Sequence, residues 1–214
     1  INASGVVDTD ASDIHLETSS NNNVFTDNTL LGTDLGVYIW YSGGINNTFT
    51  NVSYSGGEFV GTSGQLIRKW YYTAYVNDSN TGVNVSNANI TAYNSSSNYQ
   101  FNLTTGADGL TTNKAEIIDY INTGSGDGGT KTYYSPYTIY AINSSYPTMS
   151  HTWNVTLKNN TLDTFSLDNI YPQISIVSPV NNTNSSNTGL NVNYTVSDTN
   201  LGSCWYSNDS MTAN

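Results

Sequence analysis

The chain has 214 residues and carries sixteen Asp and Glu against five Lys and Arg, a formal charge of −11, with only 10% of its residues charged. A chain so acidic and so poor in Lys has no basic patch to neutralise phosphates, which excludes nucleic acid as a partner and disfavours anionic membrane surfaces. Thirty-two Asn, 29 Thr and 27 Ser, with 12% aromatic residues, favour strands and turns over helices while still supplying a core.

The expected fold class is therefore all-β, in three stretches: 1–68, 69–169 and 170–214. No apolar run approaches the roughly 18 residues of a membrane span; the longest comparable stretch is 37–41. The chain opens at Ile1 with neither an initiator Met nor a charged-then-apolar leader, which reads as a mature product or an internal fragment. Near that start Asp8, Asp10 and Asp13 offer three carboxylates at short spacing. These are hard-oxygen ligands of the kind Ca²⁺ takes, without the Gly and closing Glu of an EF-hand loop. Polar turns of secreted β-proteins carry such residues without an ion.

From 22 to 68 the sequence repeats: residues 23–30 and 47–54 align at an offset of 24, each followed by Gly and an apolar run. Val24, Thr26 and Asn28 alternate with Phe25 and Asp27, which predicts short strands with Asn and Gly at the corners. The stretch NNNVFTDNTLLGTDLGVYIWYSGGINNTFTNVSYSGG resembles the Asn-rich rungs of right-handed parallel β-helices of the pectin-lyase-like and NosD-like kinds. That resemblance implies a short solenoid of two or three rungs in which Asn side chains stack in structural ladders.

The pattern changes at Trp70, where residues 70–76 alternate cleanly and end in the turn cluster 77–82. Val83, Val85, Ala88, Ile90, Ala92 and Tyr93 make short strands, Ala107-Asp108-Gly109 reads as a hairpin turn, and 137–141 and 153–157 continue the series. This spacing predicts a β-sandwich. Residues 113–124 carry helix signals, with Asn113 as cap, Glu116 three residues on and Ile117, Ile118 and Ile121 on one face; they also fit a strand with polar flanks. The succession VNDSNTGVNVSNANITAYN, TTGADGLTT, SPYTIYAI and NVTL resembles the carboxypeptidase regulatory-like, or transthyretin-like, sandwich. That family's module is a non-catalytic accessory domain, and the resemblance implies the same over about 69–168.

Tyr171-Pro172 opens the last stretch, with Ile174, Ile176 and Val177 before Ser178-Pro179 and then Leu190, Val192, Tyr194 and Val196 in alternation. PQISIVSPVNNT and LNVNYTVSDTNLGSCWYS are similar to immunoglobulin-like repeats of archaeal and some bacterial surface proteins. About three strands of the usual seven are present, a partial module. The single Cys204 rules out a disulfide within the chain. The resemblance implies a partner Cys further along; otherwise Cys204 is a small hydrophobe.

Asn-X-Ser/Thr occurs fifteen times, at Asn2, Asn46, Asn51, Asn77, Asn84, Asn89, Asn94, Asn102, Asn143, Asn154, Asn159, Asn181, Asn184, Asn193 and Asn208. Composition alone gives about eight such triplets, so the excess points to an N-glycosylated secreted or surface chain. Glycans would also solubilise a surface with few charges.

Catalytic chemistry has little to work with. His15 and His151 sit in different stretches, so no Ser or Cys triad is indicated, and two His with one Cys make no zinc site. Asp27, Asp34 and Glu58, with Arg68 and Lys69, are a thin set for a polysaccharide-cleaving groove, which needs two facing carboxyls. Trp40, Tyr41, Trp70 and Tyr71 could stack on sugar rings, though aromatics at strand ends also serve as core and junction packing.

The expected function is a structural, N-glycosylated extracellular protein, not an enzyme. It is expected to be the subunit of a filament or other polymeric surface assembly, joined to copies of itself head to tail by strand or rung complementation. An adhesin or carbohydrate-binding fragment is the alternative, and a polysaccharide-degrading enzyme the remote one. No cofactor is expected beyond covalent N-glycans, with Ca²⁺ at Asp8, Asp10 and Asp13 a weak candidate.

Overall fold

A computed structural model describes residues 12–32, 35–40, 44–124, 128–155, 159–180 and 191–198. The chain divides into two units, Ile1–Leu167 and Asp168–Asn214. Among the described residues the fold is all-β, in several sheets, and no helix is long and apolar enough to cross a membrane.

Seven short strands open the first unit: β1 (Ser12–Leu16), β2 (Val24–Thr26), β3 (Thr29–Leu30), β4 (Leu35–Ile39), β5 (Asn47–Thr50), β6 (Ser53–Tyr54) and β7 (Gly57–Val60). They pair in parallel with near neighbours of the 24-residue repeat. β1 joins β4 and β4 joins β7, while β2 joins β5 with Phe25 opposite Phe49, and β3 joins β6 with Leu30 opposite Tyr54. Left-handed backbone recurs at the same interval, at Asn22 and Asn46 and at Asp27 and Asn51. Asn and Asp tolerate this conformation better than other side chains with a Cβ.

Their polar groups also bond across the repeat. Asn46 Nδ2 donates to Asn22 Oδ1 at 3.3 Å and Asn51 Nδ2 to Asp27 Oδ1 at 2.7 Å, while the Asn23 backbone and side chain both donate to buried Asn47. Aromatic rings stack along the ladders, Phe25 on Phe49 and Tyr38 on Phe59 at 4.6 Å each. The architecture departs from a regular solenoid after this. Among the described residues β3 and β6 pair only with each other, and the strand after β7 keeps β5 as a parallel partner on one edge while taking an antiparallel partner on the other.

That strand is β8 (Gln65–Asp78), fourteen residues in strict alternation of half-buried and buried positions. It is followed by β9 (Asn89–Tyr93), β10 (Tyr99–Thr104), β11 (Ala115–Thr123), β12 (Thr130–Tyr133), β13 (Tyr137–Asn143), β14 (Tyr146–Trp153) and β15 (Thr161–Leu167). One edge of β8 takes β11 antiparallel. The other takes β5 along Leu66–Lys69 and then β15, also parallel, along Tyr72–Asp78. The 68/69 boundary expected from the sequence falls inside β8, which serves both the parallel ladders and the antiparallel stretch. β10, β9, β13 and β14 form a four-stranded antiparallel sheet. It shares a core with β8, β11 and β15 through Ile90, Ala92, Tyr137 and Ile139 on one side and Trp70, Tyr72, Val76, Ile117 and Phe165 on the other.

Within 113–124, Ala115–Thr123 form a strand rather than a helix. Ile117 packs in the sandwich core and Tyr120 in the core of the parallel ladders, so the segment spans two cores that a helix of that length could not reach with one face. In the second unit β16 (Gln173–Ser178) and β17 (Asn193–Ser197) make a two-stranded antiparallel sheet, Ile174 opposite Val196 and Ile176 opposite Tyr194. Cys204 lies outside the described residues.

Candidate functional site

The inward face of β8 runs Leu66, Arg68, Trp70, Tyr72, Ala74, Val76. Leu66 belongs to the ladder core and Trp70 to the sandwich core, so Arg68 sits at the seam between them. Its guanidinium, on a residue 4% exposed, lies between the rings of Tyr54 and Trp70, 4.5 and 4.6 Å from their centroids, and Nη2 donates to the Val52 carbonyl. Two cation–π contacts suit a weakly hydrated planar cation better than an ammonium.

Opposite, β11 carries a bulge. Ile118 pairs with Lys69 and Tyr120 with Arg68, leaving Asp119 as the extra residue. A bulge changes which face successive side chains take, and here it buries Asp119 and Tyr120 side by side. Asp119 Oδ2 accepts from Trp70 Nε1 at 3.3 Å. Glu58 arrives from β7 with its side chain 5% exposed. Its Oε1 accepts from the hydroxyls of Tyr54 and Tyr120; its Oε2 lies 3.0 Å from Lys131 Nζ and accepts from Asn122 Nδ2 at 3.4 Å. Lys131 also lies 4.3 Å from the Tyr120 ring centroid.

The two carboxyls are driven in opposite directions. Burial pushes Glu58 up, but the hydroxyls of Tyr120 and Tyr54 and the charge of Lys131 outweigh it and hold Glu58 below its ordinary value. Burial raises Asp119, and Trp70, Arg68 and Lys131 only partly offset the rise. Burial lifts both tyrosine hydroxyls as well, so they remain donors. Such divergence between neighbouring carboxyls recurs where proton transfer or ligand binding is organised, and equally in structural networks.

Glu58, Arg68, Asp119 and Lys131 line one cavity of about 270 Å³ with Tyr54, Tyr120 and Tyr133. Two buried atoms in its wall, Arg68 Nη1 and Asp119 Oδ1, have no hydrogen-bond partner among the described residues. One donates and one accepts, a pairing that a hydroxyl-bearing ligand or water would satisfy.

A second polar cluster spans the two sheets of the sandwich. Asp163 on β15 accepts from Tyr72 Oη at 2.8 Å and meets His151 Nδ1 of β14 at 2.9 Å, while the His151 ring stacks on Phe165 at 4.2 Å. No nucleophile is among these contacts, so the cluster reads as a brace.

The residues singled out in the sequence scatter. Glu58 and Arg68 come together; Asp27 is apart, accepting from Asn51 and Tyr71, and Lys69 pairs with Glu116. Trp70 is buried, the Tyr71 ring lies under Lys114, and Trp40 is at the edge of exposure. Exposed His15 packs against Tyr38 at 4.7 Å. Asp34 and Tyr41 lie outside the described residues, as do Asp8 and Asp10, while both oxygens of Asp13 accept from the Gly32 N–H.

Of the fifteen acceptor asparagines, Asn46, Asn84, Asn89, Asn102, Asn154, Asn159 and Asn193 are exposed, and Asn51, Asn77 and Asn143 half-buried. Asn94 is buried, its Oδ1 accepting from the N–H groups of Ser96 and Asn98. Asn2, Asn181, Asn184 and Asn208 lie outside the described residues. Tyr93 and Tyr140 border a shallow groove, but the Tyr93 ring meets those of Tyr99 and Tyr140 edge to face and makes no flat platform with them.

Asp119 and Lys131 escaped the sequence reading. Asp119 keeps the inward phase of Ala115 and Ile117, the bulge turns Tyr120 and Asn122 inward beside it, and nothing in EIIDYINT marks where a bulge falls. Compared with known protein families, curated proteins and solved structures, the chain matches none.

Proposed function

We propose that this chain is a structural module of an N-glycosylated extracellular assembly, in which copies join by strand addition. Its parallel ladders would serve as a short β-helix-like solenoid and the following sheets as a transthyretin-like sandwich. The observation that carries the reading is the second unit's sheet. It has two strands among the described residues, and Ile174, Ile176 and Val177 are 68, 64 and 58% exposed. Two strands alone are marginal in water, and exposed apolar strand edges recruit further strands. In the first unit β1, β2 and β3 are each, among the described residues, the outer member of a parallel ladder, which supports the same mode of growth. The exposed acceptor asparagines support glycosylation, and with it an extracellular location.

Sedimentation velocity over about 1 to 100 µM should show concentration-dependent assembly, and Ile174→Asp with Ile176→Asp should weaken it at least tenfold. A parent chain that stays monomeric throughout, or assembly indifferent to the substitutions, would overturn the reading.

A second reading, as a carbohydrate-binding fragment, is favoured by the unpaired Arg68 Nη1 and Asp119 Oδ1 in one cavity. Sugar hydroxyls donate and accept together, and the tyrosines offer apolar faces. Calorimetric titration with a panel of neutral and acidic monosaccharides should give heat that Arg68→Lys abolishes; a silent parent chain would refute it.

A further inference from the structure

We infer that Lys131 and Asn122 join through an intramolecular amide bond, formed by attack of the Lys131 amine on the Asn122 side chain with Glu58 as proton carrier. The two residues face each other directly across the β11–β12 pair, so their side chains leave the sheet on the same side. Both meet a single atom, Glu58 Oε2, at 3.0 Å from Nζ and 3.4 Å from Nδ2. Tyr54 and Tyr120 grip the other oxygen of that carboxylate and thereby aim Oε2 at the pair.

The way Asn122 is held distinguishes this cluster from an ordinary polar network. Beside an ammonium, the natural partner is the amide oxygen, an acceptor for a donor. Here Oδ1 is buried without a partner, on a residue fully removed from solvent. It is Nδ2 that is held, by Glu58 and by the Gly128 carbonyl at 3.4 Å. The atom held is the one that must leave. Gly129 makes room for the amide: a Cβ there would fall 2.3 Å from Asn122 Oδ1. Tyr54 and Tyr120 hold one oxygen of a carboxylate whose side chain is 5% exposed, so a proton moving between Nζ and Oε2 has a direct 3.0 Å contact to cross.

The chemistry balances without a co-reactant. Oε2 takes a proton from Nζ, and the neutral amine attacks Cγ of Asn122. The proton passes from Oε2 to Nδ2, the Cγ–Nδ2 bond breaks, and ammonia departs as the Nζ–Cγ bond is completed. The second proton lost from Nζ leaves through the same carboxylate to the ammonia, so Glu58 ends ionised as it began. The product pins β12, the outer strand of its sheet, whose four residues are all exposed. Such an edge is otherwise the first to fray or to pair wrongly.

Mass spectrometry tests this on the folded chain made in a host that does not N-glycosylate, and on the native protein by peptide mapping. The intact chain should be about 17 Da lighter than its sequence, the mass of the ammonia lost. Trypsin cannot cut after an acylated lysine, so a single peptide 115–158, light by the same amount, should replace 115–131 and 132–158. Lys131→Arg and Glu58→Ala should each restore the full mass. A folded parent with the full sequence mass, efficient cleavage after Lys131, or a mass loss mapped to other residues would overturn the inference; the parent measurement decides it even if a variant does not fold.

Discussion

Removing Asp163 should destabilise the sandwich, and should do so in a way that exposes its partner. Asp163 is 7% exposed and uses both oxygens, one for Tyr72 and one for His151. It is the point where β15, in the same sheet as β8, is tied to β14 of the facing sheet. Burial and the adjacent carboxylate together raise the Tyr72 hydroxyl, so it stays protonated and donates. A hydrogen bond to a charged group contributes about 1.5–3 kcal/mol, and a buried hydroxyl left without a partner costs about 1–3 kcal/mol. Asp163→Ala loses two such bonds and orphans a hydroxyl on a residue with no solvent access, while relieving the burial of one charge. We expect about 3–5 kcal/mol of destabilisation. Tyr72→Phe in the parent leaves the carboxylate one donor short and should cost about 1.5–3 kcal/mol. In the Asp163→Ala background the same change deletes only an orphan and should be neutral or stabilising. Urea unfolding of the four chains, read as a double-mutant cycle, gives the coupling directly. If Tyr72→Phe costs the same in both backgrounds to within about 0.5 kcal/mol, the brace does not exist.

Two further outcomes follow from the seam and the ladders. Because the folded chain holds the Glu58 carboxyl below its ordinary value, its contribution is present above the unfolded carboxylate value of about 4.3 and is lost as the pH falls through the lower folded value. Glu58→Gln should therefore flatten the acid limb of a stability-against-pH curve measured by denaturant unfolding, leaving the part due to Asp78, which Thr81 and Tyr146 likewise hold down; an unchanged slope would refute the role. Asn47→Ala strips the acceptor from the Asn23 backbone and side chain at a site with no exposure and should cost about 2–3 kcal/mol, whereas Asn46→Asp, which keeps a residue tolerant of the left-handed corner but removes the donor to Asn22, should cost under about 1 kcal/mol by thermal unfolding.

What the sequence disclosed and what it hid divide along physical lines. The 24-residue repeat was legible because a parallel ladder places equivalent residues one above another, so Phe25 over Phe49 and Asn22 beside Asn46 impose like residues at a fixed interval. The alternation of 70–76 was legible because one face of β8 is buried along its length. The helix signals at 113–124 misled for an identifiable reason. Ile117, Ile118 and Ile121 fall at a helical spacing, but the strand buries Ile117 and leaves Ile118 and Ile121 half-buried, so the apolar spacing reflects a strand with some burial on both faces.

The site, too, was only half visible. Glu58 and Arg68 stand near each other in a sequence already suspected of coiling, but Asp119, Asn122 and Lys131 are recruited from strands that follow some fifty residues on. Asp119 and Lys131 line one cavity with Arg68, at the place where β8, too long for either core alone, carries one residue across the gap between them. An aliphatic side chain at that position would be exposed to the polar atoms of Val52 and Asp119; a guanidinium fits, since it stacks on the aromatic rings at each margin and donates in its own plane. Around it the seam collects Asp119, which accepts from Trp70, and Glu58, which is matched by Lys131 and two tyrosine hydroxyls. The polar seam is thus a consequence of joining two unlike β architectures through one strand, and its unpaired atoms mark the place where structure alone does not account for the residues chosen.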